Sequence, residues 1–145
     1  MGSEMCIRDR YKACVEAGID YMEIGYKSSE KIFSRNDFGP WKFCDEKDVR
    51  RIVGDNKTNT KLSVMVDIGR VDLDNLPPKS KSVIDMIRIA TYVHQMDKAI
   101  SMAEHCIDKG YETTINLMAV SKVNERDLDE ALHDVAKSRV PVFYV

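Results

Sequence analysis

Four side chains in this chain have the types and places to form a polar site: Glu23, Asp67, Arg88 and Asn116. Each interrupts an apolar run, in DYMEIGYKS, KLSVMVDIG, SVIDMIRIA and TTINLMAVS respectively. An acid inside such a run is costly unless it meets a positive charge or hydrogen-bond donors. Two acids, one guanidinium and one amide near the ends of successive strands therefore mark a place where a charged substrate can be held, or where the charges pair with one another. Both readings stay open for each residue. Glu23 is a site residue or a structural carboxylate. Arg88 is a partner of substrate or of a site carboxylate, or it forms a structural ion pair with Glu23 or Asp67. Asp67 serves the site or braces the turn at Gly69, and Asn116 serves the site or braces backbone. His94, just past the third run, is a further candidate for the same face. His105 and His133 fall on helices away from strand ends.

The elements that must position these groups alternate between helix and strand. Strands are expected over Tyr21–Tyr26, Leu62–Ile68, Val83–Ile89, Thr113–Val120 and Val140–Val145. In the first, alternation places Met22 and Ile24 on one face and Glu23 and Gly25 on the other. Its otherwise apolar character predicts a parallel strand covered on both sides. A short helix is expected over Tyr11–Ala17, ended by Gly18, and another over Glu46–Val53, with Asp45 as its cap and Gly54 as its stop. Met96, Ala99, Ile100, Ala103 and Ile107 form an apolar helical stripe closed by Gly110. Asn124 and Asp127 resemble a capping box before a helix whose buried stripe is Leu128, Ala131, Leu132 and Val135. Pro77 and Pro78 forbid a helix interior after the second strand. The long segment from Lys27 to Cys44 carries Phe38, Trp41 and Phe43, as either a lid or a local hydrophobic anchor.

This order is a βαβ pattern with right-handed crossovers. A barrel and an open doubly wound sheet both produce it. No Gly-rich phosphate turn follows any strand, and inward polar residues on adjacent strands converge better in a barrel. The fold class expected is thus α/β: a partial TIM (β/α)8 barrel with parallel strands, truncated at both ends. Residues 1–10, MGSEMCIRDR, show neither alternation nor a useful stripe; they either begin the first helix or, the favoured reading, are an artefactual leader that leaves 11–145 as the barrel fragment. The exposed edges of its first and last strands predict self-association.

Composition narrows the function classes. With 145 residues, 43% hydrophobic and 32% charged, the chain is an ordinary globular one. A net charge of -2 offers no long-range attraction to nucleic acid or to an anionic membrane. The four cysteines, Cys6, Cys14, Cys44 and Cys106, lack metal-like spacing and suggest reduced thiols, hence a cytoplasmic location. No apolar run approaches the roughly twenty residues that span a bilayer.

Taken in order, AGIDYMEIGYKS, KLSVMVDIG, MIRIATYV, TTINLMAVS and VPVFYV resemble successive strands of the HMG-CoA-lyase-like superfamily, the DRE-TIM metallolyases. The similarity runs over about Tyr11 to Val145 and is strongest to aldolase-type domains related to 4-hydroxy-2-oxovalerate aldolase. It implies helix 1 through strand 6 of an eight-stranded barrel. For the intact protein it implies Mg²⁺ or Mn²⁺, a 2-oxo acid substrate, and carbon–carbon cleavage or formation. An acyl-CoA/2-oxo acid condensing synthase of the same superfamily is the alternative, as is a non-catalytic binding or regulatory barrel. The family binds its metal through an Asp ending strand 1 and a His-x-His pair on strand 7, and neither has a counterpart here. Arg8–Arg10 do not supply the first, since no apolar strand precedes them. The resemblance therefore implies no metal ligand and no activity for this fragment alone. It supports Glu23 and Arg88 as the catalytic candidates and Asn116 on the substrate side, where the reading of the residues themselves adds Asp67 and His94.

Overall fold

The computed structural model describes residues 2–145; Met1 lies outside the described residues. Five strands form one parallel sheet: β1 (Tyr21–Tyr26), β2 (Lys61–Asp67), β3 (Met86–Thr91), β4 (Glu112–Leu117) and β5 (Val142–Tyr144). The helices are α1 (Gly2–Glu16), α2 (Arg35–Phe38), α3 (Glu46–Val53), α4 (Met96–Asp108) and α5 (Glu125–Lys137). Strand order in space follows order in sequence, β1-β2-β3-β4-β5, with every pairing parallel. A doubly wound sheet would reverse its order at a switch point. An unreversed sheet with its helices on one face is the wall of a (β/α)8 barrel. Here five strands make an open arc, with β1 and β5 each paired on one side.

The core explains why these stretches fold as they do. Met22, Ile24, Leu62, Val64, Val66, Ile87, Ile89, Ile115 and Leu117 are all buried on the helix-covered face of the sheet. Val49, Ile52 and Val53 of α3 join the same cluster, as do Met96, Ala99, Ala103 and Cys106 of α4 and Ala131 and Val135 of α5. Spacings of three and four residues put each set on one side of its helix. Asn124 caps α5 as expected, its side chain accepting from the Asp127 amide.

Several expectations are corrected. The first helix begins at Gly2 and not Tyr11: Ile7 packs against the core, and Arg8 donates to the Arg51 carbonyl at 3.0 Å. Asp45 is the N-cap of α3 through its carbonyl, which accepts from the Asp48 and Val49 amides, but its side chain makes no cap bond because the carboxylate is drawn to Lys27 and Arg35. Leu132 is exposed, and Cys106 takes a buried place on α4 while Ile100 and Ile107 are only partly covered. β3 starts at Met86, three residues later than expected, since the approach from Val83 is irregular. Between β2 and β3 the prolines leave only short 3-10 turns, and Leu76, Val83 and Ile84 supply the buried contacts that a helix would have made.

The first strand also departs from simple alternation. Glu23 pairs with Ser63 and Gly25 with Val64, so Ile24 is an extra residue in a bulge. Gly25 thereby turns to the helix side while Tyr26 joins the row of Met65. A β-carbon at Gly25 would lie 2.3 Å from the Trp41 carbonyl oxygen and 2.8 Å from the Cys44 sulfur. Nor is the strand covered on both faces, because Tyr21 and Glu23 look onto the open concave side. Gly25→Ala is expected to cost about 2 kcal/mol or more, since backbone cannot yield as a side chain would. Urea unfolding followed by circular dichroism will read this as a lowered midpoint, and an unchanged midpoint would refute the close approach.

Candidate functional site

The concave face carries the polar side chains that strand alternation turns away from the helices. Pairing registers set them in rows: Met65, Arg88, Thr114 and Val142 form one, and Asp67, Ala90, Asn116 and Tyr144 the next towards the C-terminal ends. At the N-terminal end, Lys61 and Tyr21 both bond the Glu112 carboxylate, Tyr21 at 2.6 Å. The hydrogen bond to Glu112 pushes the Tyr21 phenol above its ordinary pKa.

Glu23 and Arg88 meet across β2. Arg88 Nε donates to Glu23 Oε2 at 2.5 Å and Nη2 to Oε1 at 2.8 Å, a two-point pairing of planar groups. Its Nη1 donates to the Tyr144 hydroxyl at 3.2 Å, and Nη2 also reaches the Met65 sulfur at 3.2 Å. All three guanidinium nitrogens are engaged. Hydrogen bonding to Glu23 raises the Arg88 pKa against the opposing effect of burial, so the group is always charged. Asn116 Nδ2 lies 3.5 Å from the Tyr144 carbonyl oxygen, a long contact that steadies β5. Thr114 Oγ1 is buried on the same face and has no hydrogen-bond partner among the described residues.

Beyond this pair, the strand ends open into a cleft of about 490 Å³ lined by Tyr26, Met65, Asp67, Arg70, Tyr92 and His94, among others. The rings of Tyr92 and His94 stack, with centroids 5.9 Å apart and planes 9° from parallel. Asp67 faces Arg70 at 3.5 Å, and its carbonyl accepts from the Arg70 amide at 3.1 Å, closing the turn at Gly69. The structure thus gathers Asp67 and His94 in the cleft and sets Glu23, Arg88 and Asn116 on the sheet face that leads into it. Arg70, Tyr26, Tyr92 and Tyr144 escaped the sequence reading. Only their position just before or after a strand end signalled them, and the bulge that turns Tyr26 inward has no sequence signature of its own.

The segment between β1 and α3 is anchored. Phe43 is buried, and Trp41 packs against the core. The Lys42 ammonium stands over three rings, Phe33 at 4.4 Å, Tyr26 at 4.5 Å and Phe38 at 5.8 Å. Arg35 binds Glu30, Asp45 and Asp48 together. Burial would raise the Asp45 pKa, yet its bonds to Lys27 and Arg35 prevail and hold it below the usual carboxylate range.

Metal binding finds little support in this donor set. Among the described residues no three His, Cys, Asp or Glu side chains stand together as a ligand group. Both Glu23 oxygens are spent on Arg88, and a guanidinium beside each carboxylate opposes a cation. Cysteine chemistry is disfavoured too, because burial pushes the Cys44 and Cys106 thiols up to about 12.

No family model matches the chain, and no curated protein matches it in sequence. Among solved structures it is similar to the "N-terminal domain of a putative aldolase" from Bacteroides vulgatus, at 21% identity and a TM-score of 0.55. That similarity covers 87% of this chain and 52% of the other, so the chain spans about half the length of that structure. At this identity the likeness concerns the fold, a parallel α/β wall. No helix among the described residues is long and apolar enough to cross a membrane.

Two outcomes follow from the geometry. Glu23→Gln should cost about 1–2 kcal/mol of stability, limited by partial exposure of both partners. Combined with Arg88→Met it should cost less than the two changes summed, as a double-mutant cycle in urea will show. At pH 8 the native protein should be alkylated by iodoacetamide at the exposed Cys6, while Cys44 and Cys106 react only after unfolding, which mass spectrometry of timed samples will resolve.

Proposed function

We propose that this chain is the substrate-side wall of an aldolase- or lyase-type barrel that makes or breaks a carbon–carbon bond in a 2-oxo acid. The observation that carries the reading is the Glu23–Arg88–Tyr144 set on the concave face, directly below a cleft at the C-terminal strand ends. Barrel active sites occupy that end of the sheet. The fold likeness to an aldolase domain agrees with it.

Cleavage of a 4-hydroxy-2-oxo acid breaks the bond between carbons 3 and 4. The electron pair passes to an enolate, and the 4-hydroxyl gives up its proton to a base. The enzyme must supply positive charge and donors where the enolate oxygen forms. In this reading Glu23 fixes the Arg88 guanidinium in one plane, and Arg88 in turn holds the Tyr144 hydroxyl on the concave face below the cleft. Glu23 and Arg88 are then positioning groups, with Tyr144 and Asn116 nearer the substrate. The divalent metal of the resembling family finds no fitting donors in this chain, so no step is assigned to it.

The 145-residue chain is expected to show no turnover of 4-hydroxy-2-oxopentanoate, with or without Mn²⁺, by coupled detection of pyruvate. A protein joining this sequence to the rest of a barrel is expected to release pyruvate, and Glu23→Gln to slow it by roughly 100-fold. Release of free CoA thiol from an acyl-CoA and a 2-oxo acid would instead identify the condensing synthase. Turnover in neither assay by the longer protein would favour a binding barrel.

A further inference from the structure

We propose that Arg70, and not Arg88, is the anchor for a substrate carboxylate in the cleft; this rests on the reading of the cleft as a 2-oxo acid site. The two guanidinium groups differ in how far they are committed. Every nitrogen of Arg88 is engaged, two of them with one carboxylate in a two-point geometry. A substrate carboxylate would have to break that pair and leave Glu23 without its partner.

Arg70 lines the cleft and is held to its neighbour by one contact, Nη1 to Asp67 Oδ2 at 3.5 Å, longer than a good hydrogen bond. Its side chain is 58% exposed, so solvent already competes with Asp67 and exchange for another carboxylate costs little. Its backbone is nonetheless fixed. The amide bonds the Asp67 carbonyl at 3.1 Å, and the carbonyl accepts from the Ser29 amide at 2.8 Å. The guanidinium therefore springs from a defined point at the rim.

The surroundings suit a small anion with an apolar body. Met65, Ala90 and Met118 form an apolar floor, while the Tyr26 hydroxyl and the side-chain amide of Gln95 make no hydrogen bond to any described residue. An apolar floor with a few convergent, uncommitted polar groups is the usual make-up of a small-molecule site. Arg70 would meet the carboxylate in a planar two-point contact. Tyr26 or Gln95 would donate to the 2-oxo group.

The test is a ligand-observed NMR titration of the 145-residue protein with pyruvate and with its neutral amide, pyruvamide. Wild type should bind pyruvate and discriminate against pyruvamide by about tenfold or more, the worth of a charge-assisted contact. Arg70→Gln should lose that discrimination and Arg70→Lys should keep part of it, while Arg88→Lys, which disturbs the positioning of Glu23 and Tyr144, should weaken pyruvate and pyruvamide alike and leave their ratio in place. Retention of full discrimination by Arg70→Gln overturns the anchor, as does loss of discrimination in a folded Arg88→Lys; either result leaves the 2-oxo acid reading standing. Failure of wild type to bind pyruvate overturns both.

Discussion

The ion pair between Glu23 and Arg88 is the interaction on which the concave face depends. It ties β1 to β3 over the intervening β2 and fixes the distance between strands that have no backbone hydrogen bonds to each other. In many barrels this face is filled by branched apolar side chains. Here it carries charges that are tolerable because each finds a partner: Glu23 with Arg88, and Lys61 and Tyr21 with Glu112. With its charges neutralised internally, the sheet face is polar without a strong net potential.

The second constraint is the fit of the long β1–α3 segment against the first strand. It requires a position without a β-carbon, which Gly25 provides, and a bulge that turns this position towards Trp41. The same bulge sends Tyr26 to the concave side, where its ring contributes both to the cleft and to the group of rings around Lys42. Packing of the loop and shape of the cleft are therefore coupled through one residue. Cation–π contacts of this kind persist where salt would weaken an exposed ion pair. The segment thus behaves as part of the wall, with its aromatic residues serving as anchors.

Fold and chemistry stand on different footings. The sequential strand order, parallel pairing and one-sided helices describe a barrel wall, and the likeness to a solved aldolase domain concerns that architecture. A barrel wall supports many reactions, because activity belongs to side chains at the strand ends. The functional reading therefore rests on which groups the concave face holds and which of them are already spent on one another.

Much of the architecture was legible in the amino-acid order. Apolar runs separated by amphipathic stripes dictate a parallel α/β fold, since buried strands need crossovers that cover them. The α3 boundaries, the Asn124 cap and the absence of a helix around Pro77–Pro78 follow from local rules that act within a few residues. The polar interruptions Glu23, Asp67, Arg88 and Asn116 were equally plain, because a charge in an apolar strand demands a partner. Which partner each one takes was decided only by the tertiary structure. Glu23 and Arg88 are 65 residues apart, and their meeting depends on strand order and register, which no local pattern encodes. The bulge at Ile24 and the inward turn of Tyr26 likewise arise from contacts distant in sequence. Periodicity states which side of an element is apolar; only packing determines which polar groups are left uncommitted, and those are the ones a ligand can use.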